Sequence, residues 1–492
     1  MEGFKDTYNG APWISRSVED ELLRSAPYNY KNHHMGYWVK GLRQVGKTSL
    51  LEKFGKERYK SCIIFDLSDE EIRTSIEHEL DRVFSELGYS AYDKRYACAA
   101  FTKLVPSFAD DPSTLLILDE IQDSRSIYNR ARKIVRGLNA KVAFSGSHLG
   151  NVIFWDSYND PTGDVQEFSM QPVSYIEFLN SIKGLEDYMS LREFTRGSDA
   201  EALRSAKKYW EIYCELGGFP ASLTNFLQHG NLESAKSIRD EGLNKHLATL
   251  SEKSPIHSVE LWKNVVNYII SSIIQGNSPN DLVRNKHIYD RFVLEFGISE
   301  KLISDAVQWM LKSDILGLIN VKSDFEDDDS YFNIKYRFNH YAVLSNFAEM
   351  LINRNVIAMI KGARDEDFVL NSLISFSKPL NLKQIFSYHS HAGFPSEEVD
   401  FFFYTQEGVK VLVEVKNSKG KTISSDRILA DKRADFLIKF CEGTVFVKDN
   451  TFTIPMWNID KLSIIIPLID QAYLNKTSLE DEYKRFIDFK GN

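Results

Sequence analysis

A glycine-containing segment near the N-terminus constrains the fold of this chain more than any other feature. It reads Gly41-Leu42-Arg43-Gln44-Val45-Gly46-Lys47-Thr48 and matches the pattern G-x-x-x-x-G-K-[ST]. An apolar strand pattern, residues 37–40, precedes it, and a helical pattern, residues 48–54, follows it. A strand, a glycine-rich turn and a helix in this order are typical of a phosphate-binding loop, or P-loop. A turn with a chance lysine is the alternative, and it does not require these neighbours.

Three more short apolar runs predict the sheet on which this loop lies. They cover residues 61–66, 114–119 and 141–145, and helical stretches separate them. Continuous apolar strands that alternate with helices indicate a parallel α/β sheet covered on both faces. We therefore predict that residues 1–171 form an α/β unit built on a P-loop NTPase parallel sheet.

The residue types in the loop suit a nucleoside triphosphate bound with magnesium. Successive backbone N–H groups can curl around the β-phosphate, and Lys47 can reach the β- and γ-phosphate oxygens. The Thr48 hydroxyl can ligate magnesium, and the phosphates would lie at the N-terminus of the following helix. The predicted nucleotide-binding residues of the loop are Gly41, Arg43, Gln44, Val45, Gly46, Lys47, Thr48 and Ser49.

Two later strand ends predict the rest of this site. Asp119 and Glu120 follow an apolar strand, so Asp119 can hold magnesium through water and Glu120 can orient or deprotonate the attacking water. Such a pair on its own is often just a solvated strand end, and the P-loop upstream favours the catalytic interpretation. Ser145, at the end of the next strand, can contact the γ-phosphate or the water, although a plain Gly-Ser turn is the alternative.

Composition restricts the class of protein. The chain has 492 residues, which suggests about three domains, and its net charge of −9 does not suit a protein that coats nucleic acid. Four isolated cysteines make a zinc site or a disulfide framework unlikely in this pattern. Without a signal peptide pattern or an apolar run of membrane-spanning length, we expect a cytoplasmic protein with no membrane contact.

The chain beyond the P-loop unit divides into three predicted segments. Residues 172–260 are mainly helical in pattern. Residues 261–345 read as three helices (261–274, 288–296 and 300–313) and two strands (315–321 and 331–338), which predicts a winged-helix-like domain. Residues 346–492 form a separate α/β unit, with predicted helices at 366–375 and 427–441 and strands at 384–388, 399–404, 410–415 and 444–447.

These landmarks resemble a prokaryotic AAA+-like ATPase family that carries a C-terminal restriction-endonuclease-like domain of unknown function. The matching segments are residues 41–48, 118–122 and 145–147, Pro172 to Phe178, Gly217 to Pro220, Glu398 to Phe401, and Val413 to Lys416. The resemblance implies ATP as the nucleotide and Mg²⁺ as the metal.

One departure from the family pattern concerns transition-state charge. The family has a Gly-Arg pair shortly before the proline that corresponds to Pro172, whereas this chain has Gly163-Asp164. An arginine that stabilises the transferred phosphate would then come from elsewhere, for example Arg125, Arg130 or another subunit. Slow hydrolysis or a nucleotide-gated switch becomes more plausible than rapid turnover.

The resemblance also assigns roles to residues in the C-terminal unit. Glu414 and Lys416 are two apart on one strand and point to the same face, and a hairpin can bring Asp400 alongside them. Glu366, on the preceding helix, can complete the set. This arrangement resembles a PD-(D/E)xK nuclease, in which Asp400 and Glu414 would hold metal and Lys416 would position water. An ordinary cross-strand surface pair is the alternative.

Two functions remain open from the sequence. The first is an ATPase coupled to a C-terminal nuclease-like domain that binds or cleaves DNA. The second is a nucleotide-gated switch or signalling scaffold with an inactive nuclease-like domain, which would bind a protein partner or form a homo-oligomer. The intact set of carboxylates and lysine favours the first, while Asp164 and the acidic loop 323–330 favour the second.

Overall fold

The computed structural model describes residues 5–25, 35–87, 95–147, 152, 159, 161, 163–182, 200–253, 258, 260–261, 299–328, 330–339, 357–390, 396–416, 422–442 and 445–491. The chain begins with an antiparallel hairpin, β1 (Asp6–Tyr8) and β2 (Ala11–Trp13), followed by helix α1 (Ser17–Arg24). Val18 and Leu22 of α1 are buried against the first sheet.

The first sheet has five parallel strands. They are β3 (Gly36–Lys40), β4 (Ser61–Asp66), β5 (Thr114–Asp119), β6 (Lys141–Gly146) and β7 (Val165–Ser169), in the spatial order β4-β5-β6-β3-β7. Its helices are α2 (Lys47–Arg58), α3 (Glu70–Leu87), α4 (Arg95–Leu104) and α5 (Arg125–Gly137). The parallel α/β sheet predicted from the sequence is confirmed. The sequence analysis did not predict the edge strand β7.

The strand order brings distant parts of the sequence to one edge. Strand β6 pairs with β3 on one side and with β5 on the other. The carboxyl ends of these parallel strands therefore lie side by side, and the P-loop leaves β3 at this edge. The sheet thus places residue 41, residue 119 and residue 146 within one short stretch of the molecular surface.

A helical segment follows the sheet. It contains α6 (Tyr175–Ser181), α7 (Ala200–Leu216), α8 (Pro220–His229) and α9 (Leu232–Lys253). Ser174 and Glu177 form a complete capping box at the start of α6, and Pro220 occupies the first turn of α8. These four helices agree with the mainly helical pattern predicted for residues 172–260.

The next described segment joins the C-terminal sheet. It comprises α10 (Glu300–Lys312) and the antiparallel strands β8 (Leu316–Lys322) and β9 (Asn333–Phe338). Strand β8 also pairs in parallel with a strand of the C-terminal unit. The helices predicted at 261–274 and 288–296 lie outside the described residues except for position 261, so the winged-helix assignment stays a prediction.

The C-terminal unit contains helix α11 (Ile357–Ser377) and most of an eight-stranded mixed sheet. Its remaining elements are β10 (Phe386–Ser390), β11 (Glu397–Tyr404), β12 (Lys410–Lys416), α12 (Ile423–Ala430), β13 (Phe436–Cys441), β14 (Phe446–Lys448), β15 (Thr451–Ile454), α13 (Leu462–Asn475) and α14 (Leu479–Gly491). The strand order is β14-β15-β13-β12-β11-β10-β8-β9. Pairs β10–β11 and β11–β12 are antiparallel, and β12–β13 is parallel.

The helix predicted over residues 427–441 is wrong. Helix α12 ends at Ala430, Lys432 adopts a left-handed backbone with φ 57°, and residues 436–441 form strand β13. This strand lies between β12 and β15 and is buried on both faces, so its apolar residues run continuously. A continuous apolar run does not distinguish a buried strand from a buried helix.

Aromatic residues join the helical segment to the C-terminal unit. Phe368 of α11 packs against Tyr175 of α6 at 6.0 Å and against Trp210 of α7 at 6.3 Å between ring centroids. These residues belong to one continuous buried core. Within the described part of the chain, every helix is too short or too polar to cross a membrane.

Candidate functional site

The P-loop has the curled backbone that its sequence predicts. Gln44 and Gly46 adopt left-handed conformations, with φ of 65° and 97°. Gly41 has a φ of 151°, and a Cβ atom there would lie 2.1 Å from the backbone oxygen of Met170. Since an approach below 3 Å is not tolerated, any side chain at position 41 would displace the loop from the segment that follows β7.

The Lys47 side chain is held inside the loop. It is 4% exposed, and its Nζ atom donates hydrogen bonds to the backbone oxygens of Gly41 at 3.1 Å and Leu42 at 2.7 Å. Burial lowers the pKa of Lys47, and the carboxylates of Glu120 and Asp119 oppose that change. Phosphate oxygens bound in the loop would replace the carbonyl oxygens of Gly41 and Leu42 as hydrogen-bond partners of this ammonium group.

Thr48, Asp119 and Ser145 form a hydrogen-bonded group beside the loop. Thr48 Oγ1 donates to Asp119 Oδ2 at 2.5 Å, and Ser145 Oγ donates to Asp119 Oδ1. Asp119 is 3% exposed, and burial raises its pKa to about 6 despite the bond from Thr48. A buried carboxylate next to a hydroxyl is the donor set that hard divalent cations such as magnesium prefer, so these residues fit that metal.

Glu120 is oriented by two groups that the sequence analysis did not assign. Its backbone is left-handed with φ 51°, and its Oε2 atom accepts hydrogen bonds from Ser147 Oγ at 2.6 Å and Gln122 Nε2 at 2.5 Å. Burial would raise the pKa of Glu120, but the charge of Lys47 and these two hydrogen bonds outweigh it and lower the pKa. Glu120 is therefore an ionised carboxylate at neutral pH.

A cleft of about 720 Å³ opens beside the P-loop. The predicted loop residues that line it are Arg43, Gln44, Val45, Gly46, Lys47, Thr48 and Ser49, and Glu120 also lines it. A volume of this size is within the range of small-molecule sites, and a nucleotide is one such ligand.

Most of the residues that line this cleft were not predicted from the sequence. The hairpin β1–β2 supplies Tyr8 and Trp13, and the start of α8 supplies Phe219 and Pro220. Arg239 of α9 also lines the cleft, where it pairs with Asp240. In the sequence, only the family-like segment Gly217 to Pro220 points to any of these residues. In the structure, a Cβ atom on Gly218 of that segment would lie 2.5 Å from the backbone oxygen of Val173.

Asp164 lies at the opposite edge of the sheet from the P-loop. Its backbone oxygen accepts a hydrogen bond from Gly36 N, at the amino end of β3. Its carboxylate is 3% exposed, binds Arg136 through both oxygens at 2.6 and 2.9 Å, and binds Arg132 at 2.8 Å. Position 164 is therefore a structural anchor for α5 in this chain.

The two arginines proposed as substitutes do not line the nucleotide cleft. Arg130 contacts Ser126 and Asp81, and Arg125 begins helix α5. Among the described residues, the arginines that line the cleft are Arg16, Arg43 and Arg239.

The C-terminal strands bring Asp400, Glu414 and Lys416 together. Lys416 Nζ lies 3.4 Å from Asp400 Oδ2 and 2.5 Å from Glu414 Oε2. Asp400 Oδ2 also accepts a 2.7 Å hydrogen bond from Val415 N, and Glu414 accepts one from Ser425 Oγ. The three side chains therefore share one face of the hairpin β11–β12.

The charges in this cluster affect one another. Burial and the neighbouring charge of Glu414 raise the pKa of Asp400 to about 6, while Lys416 opposes them. Desolvation by the surrounding protein and the charge of Asp400 raise the pKa of Glu366 on α11, although its side chain is exposed to solvent. Within the described ranges, no group of three or more His, Cys, Asp or Glu side chains is arranged to hold a metal ion.

The comparisons with known proteins agree with the first sheet and its loop. Residues 33–179 match the family described as "AAA domain". The P-loop and the five-stranded parallel sheet of this region agree with its similarity to an AAA domain. No curated protein matches the sequence.

Solved structures give distant matches. The Aeropyrum pernix ORC2 protein in its ADPNP–ADP complexes is 12% identical with a TM-score of 0.33, and the match covers 73% of this chain and 98% of that one. Aeropyrum pernix ORC1 in complex with DNA is 13% identical with a TM-score of 0.26, covering 72% and 91%. A Thermotoga maritima RuvB variant is 11% identical with a TM-score of 0.24, covering 62% and 86%.

Proposed function

We propose that this chain binds ATP with magnesium and hydrolyses it to ADP and phosphate. The observation that carries the proposal is the convergence of Lys47, Thr48, Asp119, Glu120 and Ser145 on one edge of the sheet, beside a cleft of about 720 Å³. These residues come from three separate strand ends. Lys47, Asp119 and Ser145 are buried, and burial of charged and polar side chains costs free energy unless hydrogen bonds or a bound charged ligand compensate for it.

The chain's own residues account for the reaction as follows. The loop N–H groups and Lys47 bind the phosphate oxygens, and Lys47 gives up its two carbonyl partners as it does so. Water attacks the γ-phosphorus, the bond from that phosphorus to the bridging oxygen breaks, and ADP leaves. Glu120, ionised and held by Ser147 and Gln122, orients the water and accepts its proton. Magnesium, held by Thr48 and Asp119, would supply positive charge next to the phosphates.

Titration calorimetry and phosphate release test this proposal. We expect the purified chain to bind ATP in the presence of magnesium and to release inorganic phosphate. A chain that is fully folded by circular dichroism but binds neither ATP nor ADP would falsify the proposal.

We also propose that the cluster of Asp400, Glu414 and Lys416 is the centre of a PD-(D/E)xK nuclease-like domain that binds DNA. The support is the order helix α11, strand β10, strand β11, strand β12, with the three side chains on one face of the hairpin β11–β12. Asp400 and Glu414 would hold a divalent metal, Lys416 would position water against a phosphodiester, and Glu366 lies close enough to add its charge.

Plasmid cleavage with magnesium or manganese tests the nuclease. We expect wild type to nick plasmid DNA, and Asp400→Ala and Lys416→Ala to be inactive. Lys383→Ala is the charge-matched control, since Lys383 pairs with Asp327 at the far end of β11. Equal cleavage by all four proteins would indicate a contaminating nuclease.

The alternative is a nucleotide-gated switch with an inactive C-terminal domain. Lys416 forms ion pairs with both Asp400 and Glu414 and so neutralises part of their charge. The described ranges also contain no group of three carboxylates arranged to hold a metal, and both observations favour this alternative. In this case nucleotide would control binding of a protein partner or a second copy of the chain. No cleavage under any condition, combined with a nucleotide-dependent mass by light scattering, would support the switch.

A further inference from the structure

Arg16, just before helix α1, contacts three separate segments around the P-loop. Its side chain is 4% exposed. Nη1 donates a 3.1 Å hydrogen bond to the backbone oxygen of Val45, Nη2 donates to the backbone oxygen of Gln171, and Nε lies 3.3 Å from Glu177 Oε2. A buried guanidinium therefore links the phosphate loop, the segment after β7 and helix α6.

The contact with Val45 has a directional consequence. The peptide bond between Val45 and Gly46 is planar and trans, so its carbonyl oxygen and its N–H point in opposite directions. Arg16 holds the carbonyl toward α1 and α6. The N–H of Gly46 then points away from the guanidinium, and the backbone N–H groups of a phosphate-binding loop face the phosphate.

Glu177 fixes the guanidinium in this orientation. Its Oε1 atom accepts a 2.7 Å hydrogen bond from Ser17 N, and its Oε2 atom accepts a 2.8 Å bond from Ser174 N as part of the capping box of α6. Burial would raise the pKa of Glu177, but Arg16 and these backbone N–H groups lower it, so the carboxylate is ionised. Neither member of the pair is free to rotate without breaking contacts to the backbone.

We propose that Arg16 is a positioning residue for the phosphate-binding loop, which sets the Gly46 N–H toward the β-phosphate and is itself oriented by Glu177. This inference rests on the proposed nucleotide binding. The contact is made to a neutral carbonyl of the loop, so the role is to orient the loop. It is distinct from contact with the γ-phosphate in the transition state.

A loop contact made equally in the ground state and the transition state changes binding without changing chemistry. We therefore expect Arg16→Gln to raise KM for ATP and Kd for ADP about tenfold, with kcat within about twofold of wild type. A merely structural role would give the opposite pattern, because a smaller folded fraction lowers apparent kcat and leaves KM unchanged.

Three further variants complete the test. Arg16→Lys keeps the charge but cannot reach three partners at once, so we expect an intermediate rise in KM. Glu177→Gln keeps its hydrogen-bond acceptor but loses the charge, and we expect a smaller rise. Arg24→Gln, which removes an exposed arginine at the other end of α1, is the matched control and should leave KM unchanged. If Arg16→Gln does not fold, Arg16→Lys and Glu177→Gln decide the question.

The outcomes separate this inference from the function on which it rests. Normal nucleotide binding by wild type, with KM unchanged in the folded Arg16 and Glu177 variants, overturns the positioning role alone. Failure of wild type to bind ATP or ADP overturns the proposed ATPase and this inference with it.

Discussion

Thr48 Oγ1 donates a 2.5 Å hydrogen bond to Asp119 Oδ2, across 71 residues of sequence. Thr48 lies in the first turn of α2, and Asp119 is the last residue of β5. Strand β6 lies between β5 and β3, the strand that precedes the P-loop, and its Ser145 hydroxyl donates to the same carboxylate. The contact places the P-loop beside the acidic strand end in one cluster of polar side chains.

Removal of the Lys47 ammonium should affect both binding and turnover. In Lys47→Ala we expect ATP hydrolysis to fall at least about 100-fold and nucleotide affinity to fall about tenfold or more, because the group contacts phosphate in both the ground state and the transition state. Calorimetry and phosphate release measure the two effects. Lys53→Ala, which removes a lysine of the same helix that pairs with Glu19 and Glu57, should retain activity.

Glu120→Gln should separate binding from chemistry. The amide keeps the shape of the side chain and can still contact Ser147, but it cannot accept a proton from water. We expect Kd for ATP to stay within about threefold of wild type and kcat to fall about 100-fold or more. Hydrolysis at the wild-type rate would show that another group, or solvent, takes the proton.

The sequence predicts the fold best where local pattern and tertiary environment agree. Strands β3, β5 and β6 are apolar runs because both faces of the parallel sheet are covered there, and the edge strand β4 is apolar although it is only partly buried. Strand β7 escaped prediction because it is an edge strand in which only Val165 and Phe168 are buried. Strand β13 was predicted as a helix because its buried run follows α12 after a turn at Lys432, and no glycine or proline marks the break.

The candidate site could be predicted only where its residues belong to a motif. The loop and the pair Asp119–Glu120 have spacings that the chemistry fixes. The residues that complete the cleft, such as Trp13 and Arg239, come from helices and a hairpin whose approach depends on the whole fold. Arg16 illustrates the same limit, since its contact with Val45 joins two segments that carry no shared pattern.

Asp164 should prove important for stability and unimportant for the nucleotide in the same subunit. Its buried carboxylate holds Arg132 and Arg136 of α5, at the sheet edge opposite the P-loop. We expect Asp164→Asn to lower the free energy of unfolding by about 1–3 kcal/mol and to leave Kd for ATP unchanged. Asp81→Asn, which removes an exposed partner of Arg130, should cost less than about 1 kcal/mol.

Restoring an arginine at this position should not restore a family-like site. In Asp164→Arg three guanidinium groups would face one another without a carboxylate. We therefore expect this variant to unfold at a low urea concentration, as measured by urea titration. A stable Asp164→Arg protein with faster hydrolysis would contradict this and would imply that the position acts on a nucleotide.

Asp365 should make stability depend on pH. It is 1% exposed, and neither carboxylate oxygen has a hydrogen-bond partner within the described ranges. Arg364 Nε lies 3.7 Å from Oδ1, too far for a hydrogen bond. Burial raises the pKa of Asp365 from 3.8 to about 6, with Arg364 opposing. The folded chain therefore binds this proton more tightly than the unfolded chain does.

The sign of the effect follows from this linkage. As pH rises from about 4 to about 6, the unfolded chain loses the proton first, and the folded state becomes relatively less stable. Because a tenfold change in proton affinity corresponds to about 1.4 kcal/mol, ionised Asp365 costs on the order of 3 kcal/mol above pH 7. Asp365→Asn should be more stable than wild type by that order at pH 8. The difference in unfolding free energy, measured by urea titration, should shrink to less than half at pH 4.5.

Asp431→Asn, at an exposed position near Arg433, should show no such dependence. A gain for Asp365→Asn that is equal at both pH values would mean that folding does not raise the pKa of this carboxyl group.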